Sequence, residues 1–367
     1  MFVSSQLNKY FAIFGSFLLC AFVANFYIGQ CHLQNVSPYS VTRNVSNESK
    51  ARLHSTVIES NEKPIREKNN NLTGLNGFKR INNVNVTIRM ENSSLPRCPS
   101  VTGRRILINF GSKCCKNSQV INCKSGLEIG GFDLCISFGP ESLDRDFTER
   151  CLTPLLKPIK RGYGYWVWKP YIILKYVPHI SINISFTFFF IFRTLLEMND
   201  DDYLFYADAG SEFIDNVDTG LICPFHELGR DIQLFHLDRK ENAYTKEDAF
   251  TLTGCNTKEC RESNQITGSF ILLRRTMKSI RFVSEWLAFA TDRRAVSDQP
   301  SILGKDGPAF KTHRHDQSLL SLVAKKWGFF DQVLPDPSQW GDSDRKKLTP
   351  RHGFKNIQFI NHTRRKI

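Results

Sequence analysis

The chain lacks the paired C-x-x-C knuckles that hold structural zinc, although 11 of its 367 residues are cysteine. It also lacks a zinc-finger or helix-turn-helix pattern, and its 49 basic residues are scattered among 36 acidic ones. Because a basic balance alone is weak evidence for a nucleic-acid partner, we predict that this protein does not bind nucleic acid. No internal repeat is visible. The bulk composition is that of a globular protein with one large or two small domains.

Long apolar runs are rare, and the clearest one spans residues 11–29, just after Lys9. About 19 residues at roughly 1.5 Å each reach across a hydrocarbon core of about 30 Å. A cleaved secretory signal is the alternative, but no small-x-small cleavage site is obvious. The sequence therefore predicts a cytosolic tail over 1–10 and a transmembrane signal-anchor over 11–29. The protein would then be a single-pass type II protein of the Golgi or ER membrane, with the rest of the chain in the lumen.

The segment 30–100 has few regularly spaced apolar residues and is rich in Asn, Ser, Lys and Glu, a composition that does not build a core. It also contains glycosylation triplets that begin at Asn35, Asn44, Asn47, Asn71, Asn85 and Asn92. We predict a glycosylated, partly disordered stem over 30–100, followed by a folded domain over 101–367.

Cysteine usage in the predicted lumenal part favours disulfides, because zinc knuckles are missing and the compartment is oxidising. Cys255 and Cys260 are placed to close a small loop, and one or two bridges are expected within the stretch from Cys98 to Cys151. The spacing alone does not determine the connectivity.

The predicted domain begins with a strand–helix–strand pattern. Residues 106–110 are apolar and end at Gly111, and 132–138 form a second candidate strand after a segment long enough for a helix. Strands that are joined by such a crossover run parallel. The pattern therefore predicts an α/β domain with a parallel sheet.

The apolar, partly aromatic run Tyr203–Ala207 predicts a buried strand that stops at Asp208. The acidic segment Asn199–Asp202 is expected to be a solvated lead-in to this strand. Ligands of open α/β sheets lie at the carboxyl ends of the strands, where an acid can meet a cation or a ribose hydroxyl. The alternative interpretation is that Asp208 only caps a turn.

The segment Arg161–Pro170 combines glycines with tyrosines and tryptophans. Glycine permits close backbone approach, and Trp and Tyr offer flat faces for sugars or bases. Trp168 and Lys169 are candidate binding residues here, with Lys169 placed to neutralise a phosphate. The alternative is an aromatic cluster that packs against the sheet and leaves Lys169 in solvent.

The segment 176–193 interrupts the pattern that surrounds it. It contains Pro178 and a run of β-branched and aromatic residues, and its removal would leave a continuous amphipathic helix that leads into the strand at 203. We therefore interpret 176–193 as an aberrant insertion, translated from retained intron sequence. A surface hairpin or a membrane-touching segment is the alternative.

A second polar cluster follows near the end of the chain, in His313-Arg314-His315-Asp316-Gln317. The two histidines alternate, so in an extended segment both face the same side and could bind a divalent metal or a diphosphate. Asp316 begins a predicted helix, which places a carboxylate at the positive helix end. Before this cluster, Gly268 lies in a loop that leads into another strand, where the backbone must pass close to something.

Taken together, these blocks resemble the lumenal nucleotide-sugar glycosyltransferases of the GT-A type. The likeness is strongest to a little-characterised set of animal and bacterial putative transferases that share a GYGYW-W-KP block. It covers roughly residues 105–324 through the successive blocks ILINFGS, GYGYWVWKP, LFYADAGSEF, TGSFILLRRT and HRHDQSLLSL. The segment 176–193 has no counterpart in that pattern.

The resemblance implies a GT-A-like mixed, mainly parallel sheet flanked by helices, with a nucleotide-diphosphate sugar across the strand ends. GT-A enzymes commonly hold Mn²⁺ or another divalent cation with an Asp-x-Asp pair. Here Asp208 is kept and Gly210 replaces the second acid. The metal ligands implied are Asp208 with Glu212, His313 and His315, or with Asp215.

The resemblance also assigns roles in binding and catalysis. Asp208, Lys169, Trp168, Gly268 and Arg314 are expected to contact the nucleotide-sugar. Asp316 is the candidate catalytic residue, which either positions the acceptor hydroxyl and takes its proton or flanks the anomeric carbon in a retaining reaction.

We therefore expect a secretory-pathway glycosyltransferase that moves a sugar from a nucleotide-diphosphate donor to a glycan or glycoconjugate acceptor. The alternative is a catalytically inactive GT-A-shaped protein that only binds glycans, which the missing second acid favours. A third possibility is that the insertion disables the chain.

Overall fold

The computed structural model describes residues 78–81, 84–89, 94–112, 115–156, 161–174, 198–338 and 358–362. The predicted cytosolic tail, the predicted anchor, most of the predicted stem and the segment 176–193 lie outside these residues. Within the part of the chain that the structure describes, no helix is both long and apolar enough to span a membrane.

Twelve strands are distributed over three sheets. The strands are β1 (Phe78–Ile81), β2 (Val84–Ile88), β3 (Arg105–Phe110), β4 (Leu134–Phe138), β5 (Tyr203–Ala207), β6 (Ser211–Phe213), β7 (Ile232–Gln233), β8 (Phe235–Lys240), β9 (Asn264–Ile266), β10 (Phe270–Arg274), β11 (Leu334–Pro335) and β12 (Ile360–His362). The main sheet has seven strands in the order β1-β2-β4-β3-β5-β10-β7, and the small sheets are β11-β8-β9 and β12-β6.

The centre of the main sheet is parallel, because β3 pairs in parallel with both β4 and β5. The outer pairings, β1 with β2, β2 with β4, β10 with β5 and β10 with β7, are antiparallel. Only β2 and β10 therefore run against the direction of the other strands in this sheet. The predicted mixed, mainly parallel sheet is confirmed, as is the strand–helix–strand unit at its start.

Four helices pack around the sheet and position its residues. They are α1 (Lys116–Glu128), α2 (Trp168–Leu174), α3 (Met277–Thr291) and α4 (His315–Lys326). Shorter helical segments are Pro140–Ser142, Arg145–Phe147, Thr148–Leu152, Thr153–Leu156, Gly162–Tyr165, Asp218–Ile222, Cys223–Glu227, Glu241–Tyr244, Glu247–Thr253, Lys258–Glu262 and Arg293–Val296. The helix α3 begins with a capping box between Thr276 and Ser279, and its Phe282 and Trp286 are fully buried, as the sequence predicts.

Both faces of the main sheet are buried, because side chains alternate along each strand. On β3 and β5, Ile106, Ile108, Leu204 and Tyr206 join a core that includes α2, α3 and α4. The intervening residues Leu107, Tyr203 and Phe205 join a second core under α1. This two-sided burial explains why the central strands read as continuous apolar runs.

The folded region begins before residue 101, so the predicted boundary of the stem is wrong. β2 lies within the range 30–100 and pairs with β4 in the main sheet. Val84 and Val86 are buried, and Asn85 between them is exposed. This period of two is a strand signal, which the polar composition of the surrounding segment obscured.

The described cysteines form disulfides between Cys98 and Cys223, Cys123 and Cys135, and Cys255 and Cys260. The predicted Cys255–Cys260 loop is confirmed, and Cys123–Cys135 is a bridge inside the predicted stretch. Cys98 instead pairs outside it, with Cys223, because the two cysteines belong to one core on the α1 side of the sheet. A bond over this sequence separation could not be deduced from spacing.

Candidate active site

Asp208 follows the last residue of β5 at the edge of the sheet where the parallel strands end. Its backbone N–H donates to the Ser269 carbonyl at 3.0 Å, and Tyr206 donates its hydroxyl to Asp208 Oδ1 at 2.7 Å. Every residue of β5 is buried, whereas the Asp208 side chain is 37% exposed. The strand therefore delivers a fixed carboxylate to the surface.

This edge is also where the connections of the sheet diverge. From β3 the chain moves through α1 to β4 on one side, and it later returns to β5 on the other side of β3. Crevices at such switch points, outside the carboxyl ends of the strands, are the usual ligand sites of open α/β sheets. Asp208 lies at this position.

Lys169 of α2 links Asp208 with Asp316 of α4. Its Nζ lies 3.2 Å from Asp316 Oδ2 and 3.5 Å from Asp208 Oδ1, and it donates to the Gly268 carbonyl at 2.9 Å. Lys169 and Asp316 are each 3% exposed, so this ammonium is not in solvent. The structure thus brings together Asp208, Asp316, Lys169 and Gly268, four of the predicted site residues.

The charges of this group shift its pKa values in different directions. Burial raises the pKa of Asp316 to about 6, although the Lys169 charge opposes the change. Burial also acts to raise the pKa of Asp208, but Lys169 and the Tyr206 hydroxyl together hold it below its ordinary value. Burial acts to lower the pKa of Lys169, and the two carboxylates more than offset this, so its pKa is raised.

Asp316 is incompletely satisfied for a buried carboxylate. Within the described residues, its Oδ2 has no directional hydrogen bond, and its contact with Lys169 is an ion pair of unfavourable hydrogen-bond angle. The rest of the residue is firmly held, since Trp286 Nε1 of α3 donates to the Asp316 carbonyl at 2.9 Å. Unpaired buried oxygens of this kind are uncommon in folded proteins and mark a place where a ligand hydroxyl can bind.

Gly268 is a glycine because three groups crowd its α-carbon. A β-carbon there would lie 3.3 Å from Gln317 Cβ and 3.4 Å from both Asp316 Oδ2 and Lys169 Nζ. Its N–H donates to Gln317 Oε1 at 3.2 Å. Gln317 is a site residue that our sequence reasoning did not single out, although its place directly after Asp316 was the available signal.

The aromatic block enters α2 through a left-handed turn. Five successive residues have positive φ: Gly162 at 55°, Tyr163 at 51°, Gly164 at 85°, Tyr165 at 57° and Trp166 at 59°. Such backbone strain in residues other than glycine is typical of functional sites. The turn brings the chain into α2, whose second residue is Lys169.

Trp168 belongs to the core rather than to an open surface. Its ring stacks on Phe110 at a centroid distance of 3.8 Å, and its Nε1 donates to the Gly162 carbonyl at 3.0 Å. Trp166 and Tyr163 remain half-buried and present ring surface next to the site. The structure thus places Trp168 as the sequence's alternative interpretation describes, while its proposed contact with a ligand stays a prediction.

His313 and His315 are both engaged by the protein backbone. His313 Nε2 donates to the Ala295 carbonyl at 2.8 Å, and its Nδ1 accepts the N–H of Lys246 at 3.3 Å. His315 Nδ1 donates to the Val296 carbonyl at 2.8 Å. Burial lowers the pKa of both imidazoles, that of His313 to well below its ordinary value, so they are neutral at physiological pH.

The predicted metal ligands therefore do not form a coordination set in this structure. Both nitrogens of His313 are used, Asp208 Oδ1 faces Tyr206 and Lys169, and Glu212 is half-buried on β6. Within the described ranges, no group of three or more His, Cys, Asp or Glu side chains is arranged to hold a metal ion. These residues do not fit a resident divalent ion, and the manganese requirement stays a prediction.

Two remaining predicted residues lie in other surroundings. Arg314 is half-buried with its guanidinium 5.0 Å from the centre of the Tyr244 ring. Asp215 accepts the N–H of Asn216 at 2.7 Å. His362 of β12, which the sequence did not mark, is close enough to Asp208 for its charge to lower the pKa of that carboxylate. No motif around His362 could have revealed this contact, because β12 reaches the site only by pairing with β6.

Comparison with known proteins gives remote structural similarity only. No protein-family model matches the chain, and no curated protein matches it. Among solved structures, the apo form of mouse xyloside xylosyltransferase 1 is similar at 12% identity and a TM-score of 0.36, covering 70% of this chain and 96% of that one. The apo structure of the bifunctional glycosyltransferase WbbM is similar at 9% identity and a TM-score of 0.36, covering 66% of this chain and 40% of that one. At this level of similarity, neither structure assigns an activity to the chain.

Proposed function

We propose that this protein transfers a sugar from a nucleotide-diphosphate donor to a glycan or glycoconjugate acceptor. The observation that carries the proposal is the convergence of Asp208 and Asp316, more than a hundred residues apart in sequence, on the single buried ammonium of Lys169. This group lies at the sheet edge where ligands of α/β proteins bind. We also propose that the protein acts in the Golgi or ER lumen as a single-pass type II membrane protein.

The two carboxylates suit different tasks. Asp208 is partly exposed and has its pKa held down, so it is an anion at working pH that can accept hydrogen bonds from donor hydroxyls. Asp316 is buried with a pKa of about 6, a value suited to accepting a proton near neutral pH. Asp316 is therefore our candidate for the group that orients the acceptor hydroxyl and takes its proton. In a retaining reaction, it would instead flank the anomeric carbon.

A donor screen on the full-length protein in detergent tests the proposal. We expect release of nucleoside diphosphate from at least one nucleotide-sugar, loss of that release in Asp316→Asn, and full release in Asp146→Asn. Asp146 is a matched control because its side chain is 52% exposed and pairs only with Arg150 among the described residues. Running the screen with Mn²⁺ and with a chelator decides the manganese requirement.

The inactive glycan-binding protein remains the second candidate. Gly210 stands where GT-A enzymes commonly have their second acid, and Asp208 is already paired with Lys169. No release from any donor, together with binding to a glycan array, would contradict the transferase proposal and favour this candidate.

A further inference from the structure

A network of buried polar side chains lies behind the site, and Glu241 is its centre. Glu241 is 0% exposed. Its Oε1 accepts Thr245 Oγ1 at 2.5 Å and Gln265 Nε2 at 3.1 Å, and its Oε2 accepts Ser321 Oγ at 2.5 Å and the Lys325 ammonium. Because an ionised carboxylate only accepts hydrogen bonds, every one of these neighbours must point a donor towards it.

This requirement fixes the orientation of Gln265, which is also 0% exposed. The amide nitrogen of Gln265 must face Glu241, so its Oε1 faces the opposite way and accepts Gln317 Nε2 at 2.8 Å. The amide nitrogen of Gln317 is thereby committed to Gln265. Its Oε1 is left to accept the N–H of Gly268 at 3.2 Å. A rotated amide would set two N–H groups against each other.

The same glycine holds Lys169 through its carbonyl, at 2.9 Å from Nζ. The hydrogen bonds therefore run in one direction from a cation to an anion: Lys169 donates to Gly268, Gly268 to Gln317, Gln317 to Gln265, and Gln265 to Glu241. Bonds arranged in series in a low-dielectric interior strengthen one another. We call this series the amide relay.

We propose that Glu241 is a positioning residue for sugar transfer, which acts through the amide relay. By fixing the directions of Gln265 and Gln317, it fixes the Gly268 main chain and with it the Lys169 ammonium that pairs with Asp208 and Asp316. Glu241 makes no described contact with either aspartate, and the inference rests on the proposed function. The relay explains why Gln317 and Gln265 are glutamines at buried positions that could otherwise be apolar.

The substitution Gln265→Leu interrupts the relay in its middle and leaves Glu241 paired with Lys325. We expect kcat for donor turnover to fall about tenfold, with the donor KM within about twofold, because the misplaced group acts in the reaction rather than in binding. Ser321→Ala is the matched control. It removes another donor to Glu241, at 2.5 Å, but this donor lies on the branch that leads away from the site.

In Ser321→Ala, kcat should stay within about twofold of wild type, even though the free energy of unfolding falls by about 1 kcal/mol. An equal fall of kcat in both variants would overturn the proposal, because it would show that the network only stabilises the fold. The double variant Glu241→Gln/Gln265→Glu moves the carboxylate one step closer to the site and keeps the relay direction. We expect it to recover most of the kcat that Glu241→Gln alone loses, and no recovery would contradict the relay.

A measurement that needs no turnover separates this inference from the proposed function. Hydrogen exchange of the Gly268 amide, followed by NMR, should be at least about tenfold faster in Gln265→Leu than in Ser321→Ala, since only the former releases Gln317. Equal exchange in the two variants overturns the relay. A wild-type protein without turnover contradicts the proposed function, while exchange at Gly268 still decides whether the relay holds that residue.

Discussion

The two ends of β5 each carry an aspartate, and the protein treats them in opposite ways. Asp202, before the strand, is 1% exposed, and Arg104 binds it with its backbone N–H, Nε and a terminal nitrogen at 2.8, 3.0 and 2.6 Å. Asn199 adds a backbone N–H at 3.0 Å. Asp208, after the strand, is 37% exposed and shares one ammonium with a second carboxylate.

The difference between these ends separates structural from candidate functional groups. Both oxygens of Asp202 are saturated by donors of the protein itself, so nothing is left for a ligand. At the other end, two carboxylates meet one cation, and an oxygen of Asp316 is without a directional partner among the described residues. A saturated carboxylate anchors the fold, whereas an unsaturated one is available to a substrate.

The strongest way to test this comparison is to neutralise each aspartate in turn. In Asp208→Asn, we expect donor turnover to fall by about 10²–10³-fold, because a fixed charge at the reacting centre is lost. The free energy of unfolding should change by less than about 1 kcal/mol. In Asp202→Asn, the free energy of unfolding should fall by about 2–4 kcal/mol, because Arg104 loses its charged partner.

Turnover per folded molecule should be unchanged in Asp202→Asn. Urea unfolding of both variants, together with turnover at temperatures where both remain folded, measures the two effects. The comparison fails if the two substitutions have the same ratio of activity loss to stability loss.

A smaller effect is expected from the pH dependence of Asp316. Since its pKa is raised from 3.8 to about 6, kcat/KM should fall with decreasing pH below about 6 if the carboxylate takes a proton, and level off above this value. The raised pKa also implies that the stability contributed by protonated Asp316 is complete below pH 3.8 and is lost as the pH rises through about 6.

Both pH effects should disappear in Asp316→Asn, the first together with most of the activity. Rate profiles and unfolding free energies between pH 4 and 8 provide the measurement. A rate profile that is flat through pH 6 in the wild type would remove Asp316 as the group that takes the proton.

The smallest expected effect sharpens the comparison through a pair of tyrosines on the same strand. Tyr206 donates to Asp208 at 2.7 Å, and Tyr203 forms an equivalent bond with His226 Nδ1 at 2.6 Å near the opposite end. Tyr206→Phe removes a bond that lowers the pKa of Asp208, so we expect turnover to fall about threefold and the acidic limb of the profile to move to higher pH.

Tyr203→Phe should leave turnover unchanged and cost about 1 kcal/mol of unfolding free energy. Steady-state rates and denaturant midpoints distinguish the pair. Equal loss of turnover in both variants would mean that the strand as a whole, rather than its Asp208 end, supports activity.

The sequence revealed the elements whose signals are local. Continuous apolar runs predict β3 and β5, and the turn after Ala207 correctly places Asp208 at a sheet edge. The solvated lead-in was wrong for Asp202, because its partner Arg104 is distant in sequence and such pairing leaves no periodic signal. The histidines show the same limit, since the groups that engage His313 and His315 are main-chain carbonyls, which every residue possesses.

The left-handed turn before α2 has a consequence for chirality. Left-handed helical backbone costs an L-residue roughly 1–2 kcal/mol, and Tyr163, Tyr165 and Trp166 all adopt it. A D-amino acid at residue 163, introduced by peptide ligation, would find there the conformation that it prefers. The turn is thus a short piece of mirror-image helix built from ordinary residues, and the core packing around Lys169 must supply the energy that keeps it wound.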